Sequence, residues 1–102
     1  MENKNQKTFL YRFYIGSNNE TKKTEIKKAV KVLNFLAVKG FSIFKNNMGF
    51  WENQREKSFC VEIISNNENK FLKSQARELK HLLEVRLKQY LVLTTRQEVN
   101  LI

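Results

Sequence analysis

From residue 8 to residue 15 apolar and polar side chains take turns along the chain. Phe9, Tyr11, Phe13 and Ile15 point one way and Leu10, Arg12 and Tyr14 the other, which is the period of a β-strand. Gly16-Ser17-Asn18-Asn19 then brings together residues that tolerate turn geometry. Beyond it the period lengthens. Ile26, Ala29, Val30, Val32, Leu33, Leu36 and Ala37 fall on one arc of a helix predicted over 22–38. Thr21 or Thr24 is available as its cap, Glu25 suits its first turn, and Gly40 is its stop.

A second strand is predicted at 41–44, with room to resume as far as Trp51 after the irregular Lys45-Asn46-Asn47. A polar turn leads to a third strand at 58–64, where Phe59, Val61 and Ile63 alternate with Cys60, Glu62 and Ile64. The polar loop 65–69 precedes a long helix over 70–90. Its core stripe is Leu72, Ala76, Leu79, Leu83 and Leu87, and Glu84 to Lys88 is a favourable i,i+4 pair on the outer side. A last strand runs over 91–95 with Leu91 and Leu93 turned toward the helices, and 99–102 has the composition of a short edge strand. Residues 1–7 are polar and without periodicity, which gives the expectation of a frayed end.

Strand, helix, strand, strand, helix, strand with two amphipathic helices is the pattern of a ferredoxin-like α+β domain spanning 1–102, with strand order 4-1-3-2. One sheet face then packs on the helices. The open face carries Leu10, Arg12, Tyr14, Phe44, Cys60, Glu62, Ile64, Val92, Thr94 and Arg96. Arg12 and Glu62 lie on neighbouring strands and pair across the sheet. A face this apolar, with charges at its middle, suits burial against another subunit, so a homo-oligomer is expected.

At 102 residues the chain can bury a core without staples, and 41% hydrophobic residues exclude a disordered class. The single cysteine excludes an internal disulfide and a zinc set. No apolar run reaches transmembrane length and no signal peptide is visible, which gives the expectation of a cytoplasmic protein without membrane contact. The net charge of +9 favours an acidic protein or nucleic acid as partner. A lysine-rich, proline-free composition is also what an AT-rich coding sequence gives, loading solvated faces with charge. Lys23, Lys27, Lys28 and Lys31 line the outer side of the first helix around an outward Phe35, a combination typical of contact surfaces. Trp51 and Arg55 in the hairpin turn are further contact candidates, tryptophan being a good anchor.

The segment Gly49-x-Trp51-x-x-x-x-Glu56-x-Ser58, followed by an alternating strand, a long helix and Gln89-x-Leu91-Val92-Leu93, resembles a family of small bacterial and phage proteins. The opening Tyr14-Ile15-Gly16-Ser17-Asn18-Asn19-Glu20-Thr21-Lys22-Lys23 is similar to phage-encoded relatives. That resemblance implies a ferredoxin-like fold and a mobile-element origin, and carries no assigned chemistry. The glycine and aromatic pair before the hairpin turn is also similar to CutA and PII-type trimers, although the long PII ligand loop is missing.

No residue cluster reads as a catalytic centre. Glu52 and Glu56 sit on a charged turn, His81 is outward on its helix, and Cys60 faces away from the only histidine. Gly16 with Ser17 falls far short of a phosphate loop. The expectation is therefore a cofactor-free, non-enzymatic binding protein of phage or mobile-element type. It would oligomerise through its sheet and meet an acidic macromolecule through the first helix. The alternative is a CutA- or PII-like oligomer holding a small anionic ligand between subunits.

Overall fold

The strictest alternation in the sequence lies in the two strands that become the middle of the sheet. The computed structural model describes residues 7–51 and 54–102, with the side chains of 46–49, 51, 54 and 55 left aside. Its elements are β1 (Thr8–Ile15), α1 (Ile26–Phe35), β2 (Ser42–Trp51), β3 (Gln54–Ser65), α2 (Lys73–Arg86) and β4 (Leu93–Val99). The four strands form one antiparallel sheet in the order β2-β3-β1-β4, the expected order read from the other edge. Arg12 lies opposite Glu62 and Phe13 opposite Val61, so the side chains of β1 and β3 alternate in step.

On the helix side Tyr11, Phe13, Ile15, Phe59, Val61 and Ile63 are buried against Ala29, Val32 and Leu33 of α1 and Ala76, Leu79 and Leu83 of α2. Each large apolar side chain taken out of water there stabilises the fold by about 1.5–3 kcal/mol. Phe71, just ahead of α2, sets its ring edge-on to Tyr11 at 5.1 Å and to Phe13 at 6.3 Å. It takes the core place assigned to Leu72, which is exposed.

Both helices are shorter than their apolar patterns. Neither Thr21 nor Thr24 caps α1. Its first turn is preceded by a turn built on Asn18, whose Oδ1 accepts hydrogen bonds from the backbone N–H of Glu20 (2.8 Å) and Thr21 (3.1 Å). The helix ends before Gly40, because Ala37 adopts a left-handed backbone (φ 55°) and Val38 N–H reaches back to Leu33 O at 3.1 Å. α2 closes the same way at Lys88 (φ 53°), with Gln89 N–H on Glu84 O at 2.9 Å. The Glu84 carboxylate pairs with Lys80 (2.6 Å) and not with Lys88, and also accepts the Val92 N–H at 2.9 Å.

β2 runs through to Trp51 across a register shift between Phe44 and Asn47, so the hairpin extends past the end of β1. β4 starts later than expected and its faces are reversed. Val92 is fully buried, whereas Leu91 and Leu93 are both 56% exposed. Three apolar residues in a row leave the phase of a strand open. The turn at Lys88 and the Glu84 bond to Val92 settle it. Residues 100–102 add no further strand.

Candidate functional site

Three segments far apart in sequence meet where β1 ends. Gly16 passes so close to β3 that a Cβ there would lie 2.8 Å from Glu56 Cδ and closer still to its Oε1. No glycine among the described residues has a positive φ, so Gly16 is needed for space and not for backbone angle. The Glu56 carboxylate accepts the Ser17 N–H at 2.8 Å, and Ser17 Oγ donates to Lys57 O at 3.1 Å. From the other side Gln89 acts like a strand partner. Its Oε1 accepts the Gly16 N–H at 3.1 Å, and its Nε2 donates to Ser17 O at 2.7 Å and Gly16 O at 3.3 Å. Asn19 N–H donates to Lys88 O at 3.1 Å.

The third attachment comes from α1. Asn18 is buried, and its Nδ2 donates to Glu25 Oε1, while Glu25 Oε2 pairs with Lys28 at 2.6 Å. The bonds from Lys28 and then Asn18 hold the Glu25 carboxyl below the usual carboxylate range. The β1–α1 loop is thus fixed by β3, by the end of α2 and by the start of α1. This makes a rigid cradle with a carboxylate at its edge. Beside it opens a cleft of about 520 Å³ lined by Asn19, Glu20, His81, Glu84, Val85, Lys88, Gln89 and Tyr90, with Tyr90 91% exposed. An exposed aromatic face among side chains of both charges suits a ligand that joins a flat ring to charged groups.

Glu56 and Gln89 stand in the motifs that resemble known relatives, but neither is a site candidate by sequence reasoning. Glu56 reads as one more charge on a turn, and only the space left at Gly16 shows that its carboxylate is pulled inward. His81 is exposed on α2 and lines the same cleft. Among the described residues no group of three or more His, Cys, Asp or Glu side chains is placed to hold a metal ion. No helix among them is long and apolar enough to cross a membrane.

The open sheet face carries Leu10, Arg12, Tyr14, Phe44, Cys60, Glu62 and Ile64, as expected from their alternation. Arg12 Nε donates to Glu62 Oε2 at 2.7 Å, and that bond raises the guanidinium pKa further. The Cys60 thiol is buried between strands, and that burial followed by the nearby Glu62 pushes its pKa up, away from thiolate chemistry. Val92, Thr94 and Arg96 do not belong to this face. Opposite Phe13 and Tyr11, Thr94 and Arg96 turn to the helix side, where Arg96 stacks 3.7 Å over the Phe9 ring and donates to Tyr11 OH at 3.1 Å. Leu93, opposite Tyr14, takes their place on the open face.

Of the basic candidates, the structure brings Lys28, Lys31 and Phe35 together with Arg86 of α2 at a groove between the helices. Lys23 and Lys27 are exposed outside it. The side chains of Trp51 and Arg55 lie outside the described set.

No family model and no curated protein matches the sequence. Solved structures do match. A phage SAM lyase in its apo state superposes with a TM-score of 0.67 at 22% identity, over 96% of this chain and 86% of that one. CutA1 from Oryza sativa gives 0.59 at 10% identity, over 92% and 81%. CPII, a nitrogen regulatory PII-like protein from Thiomonas intermedia K12 bound to ADP, AMP and bicarbonate, gives 0.55 at 14%, over 91% and 92%. These likenesses establish the ferredoxin-like fold and support the similarity to CutA and PII-type proteins at that level. They also overturn the expectation of a non-enzymatic protein. One of these matched structures is a lyase, so absence of a familiar catalytic motif is no argument against catalysis on this fold.

Proposed function

We propose that the protein is an oligomeric enzyme of the SAM-lyase kind, with its ligand site at the cradle formed by Gly16 to Asn18, Glu56 and Gln89. The observation that carries this reading is the Glu56 carboxylate, drawn against Gly16 and anchored on the Ser17 N–H at 2.8 Å beside an open cleft. The likeness to a phage SAM lyase supports it.

S-adenosylmethionine carries a sulfonium cation, which a fixed carboxylate and nearby aromatic faces attract. A lyase acting on it breaks a carbon–sulfur bond. The electron pair stays on sulfur, which becomes a neutral thioether. The carbon released is completed from the substrate itself, by its own carboxylate oxygen closing a lactone or by loss of a neighbouring proton to form an alkene. In this reading Glu56, held by the Ser17 N–H, meets the cation and the exposed Tyr90 offers its ring to the adenine. The open sheet face is covered by further copies of the chain, with Arg12–Glu62 fixing their register. The charged helix layer then remains free for an acidic macromolecule, consistent with a phage or mobile-element role.

The test is direct. Incubation with S-adenosylmethionine is expected to consume it and release a thioether nucleoside, and Glu56→Gln should slow this at least about a hundredfold. Absence of both turnover and calorimetric binding would sink the reading. Binding of AMP or ADP without turnover of S-adenosylmethionine favours the second reading, a PII-like nucleotide binder. The cation and ring beside the cleft, Lys88 and Tyr90, support that alternative.

A further inference from the structure

The helix layer carries a second concavity, on the side of the molecule away from the open sheet face. It lies between α1 and α2, holds about 500 Å³, and is lined by Lys28, Lys31, Val32, Phe35, Leu82 and Arg86. Val32 is buried and Leu82 packs half-buried on the core, so the floor is apolar. Phe35 stands at the rim with 73% of its surface in water. The three remaining side chains are all cations, and among the described residues no carboxylate lines the groove. Lys28 is tied to Glu25, but neither Lys31 nor Arg86 has an ion-pair partner among the described residues.

We propose that this groove docks an acidic amphipathic helix of a partner protein. Leucine-sized side chains of that helix would sit on Val32 and Leu82 against Phe35, and its carboxylates would meet Lys31 and Arg86. Charge complementarity selects the sign of the partner, and the net charge of +9 steers it in from a distance. The apolar floor selects a protein over nucleic acid. A phosphate backbone calls for a run of cations along its track, whereas here Lys23 and Lys27 lie outside the groove and the cations ring an apolar patch. The inference rests on the reading that other copies cover the sheet face and leave the helix layer open.

The probe is a fluorescein-labelled peptide with leucines at helical i, i+3, i+4, i+7 spacing and glutamates elsewhere, beside a scrambled peptide of the same composition. In fluorescence anisotropy the first should bind the full chain at least about tenfold more tightly than the second. Phe35→Ala and Arg86→Glu should each weaken it about tenfold, while Lys73→Glu at the start of α2, outside the groove, should change it less than about twofold. Equal binding of the scrambled peptide, or equal loss in all three variants, overturns the proposal, since plain charge attraction would then account for it. Displacement of the peptide by short duplex DNA at lower concentration would assign the groove to nucleic acid instead. A drop in assembly size with Phe35→Ala would assign it to a contact between copies. Turnover of S-adenosylmethionine, measured on the same variants, should stay at the unmutated level, which keeps this outcome separate from the fate of the cradle.

Discussion

The two faces of the sheet are built from the same strands, and neighbouring residues in β1 have opposite fates. Phe13 disappears beneath both helices, whereas Tyr14, one residue on, keeps 39% of its surface in water with Phe44, Ile64 and Leu93 exposed nearby. One face is completed within the chain. The other holds an apolar surface around the Arg12–Glu62 pair that none of the described residues covers. A sheet whose second face served only solvent would alternate more cleanly to polar residues. The difference is that the helix face makes the fold, whereas the open face has a use only in the assembly proposed above.

Phe13→Ala against Tyr14→Ala breaks the comparison most strongly. In urea unfolding of dilute protein the first should cost about 3–5 kcal/mol, and the second under about 1 kcal/mol. The Tyr14 position should matter elsewhere: Tyr14→Glu is expected to reduce the mass seen by light scattering from a multiple of 12.2 kDa to a single chain. A monomer at high concentration without any mutation would remove the assembly half of the argument. In β4 the same contrast recurs with less at stake. Val92→Ala should cost about 1.5–3 kcal/mol and Leu93→Ala within about 0.5 kcal/mol. The reverse result would mean that the strand sits in the phase its sequence first suggests.

Glu84 joins the helix layer to β4, and its removal sharpens what that face depends on. Burial lifts its carboxyl pKa, but the bonds from Lys80 and the Val92 N–H outweigh this and leave it below the ordinary range. Because the folded value is depressed, the stabilisation is present above the unfolded pKa of about 4.3 and is lost as pH falls through the folded value. Glu84→Ala should cost about 1–3 kcal/mol at neutral pH, since the Val92 N–H loses its acceptor. The difference from the unmutated protein should shrink on acid titration below about pH 4. The smallest effect has the opposite sign. Ala37→Gly should raise the melting temperature slightly, by up to about 1 kcal/mol of stability, because a left-handed residue at a helix end favours glycine.

Most of the fold was legible because β1 and β3 alternate without a break, which fixes both the core and its register. Where the pattern failed, a local bond had overridden it. The start of α1 gives way to the Asn18 turn with Lys22 at φ 61°, and hydrophobic spacing carries no trace of such a turn. Phe71 and Leu72 are adjacent apolar residues, and only the Tyr11 and Phe13 rings decide which goes inside. The cradle was legible in pieces only. Gly16, Glu56 and Gln89 each stood in a segment that resembled known relatives, yet Ser17 and Glu56 are 39 residues apart and Gly16 and Gln89 73. Their meeting is a property of the tertiary structure, and no spacing rule along the chain announces it.

The place of β1 in the sheet has a consequence for how the protein is made. The earliest of the described strands ends in the interior of the sheet, between β3 and β4, with Arg12 facing Glu62 and Thr8 facing Val99. Until the last strand emerges, one edge of β1 has no neighbour, and its apolar residues wait in a nascent chain. A synthesis pause placed before β4 would prolong that state, and early termination there would leave a ready template for another unfinished chain. The folding yield is therefore expected to fall when the delivery of β4 to β1 is slowed.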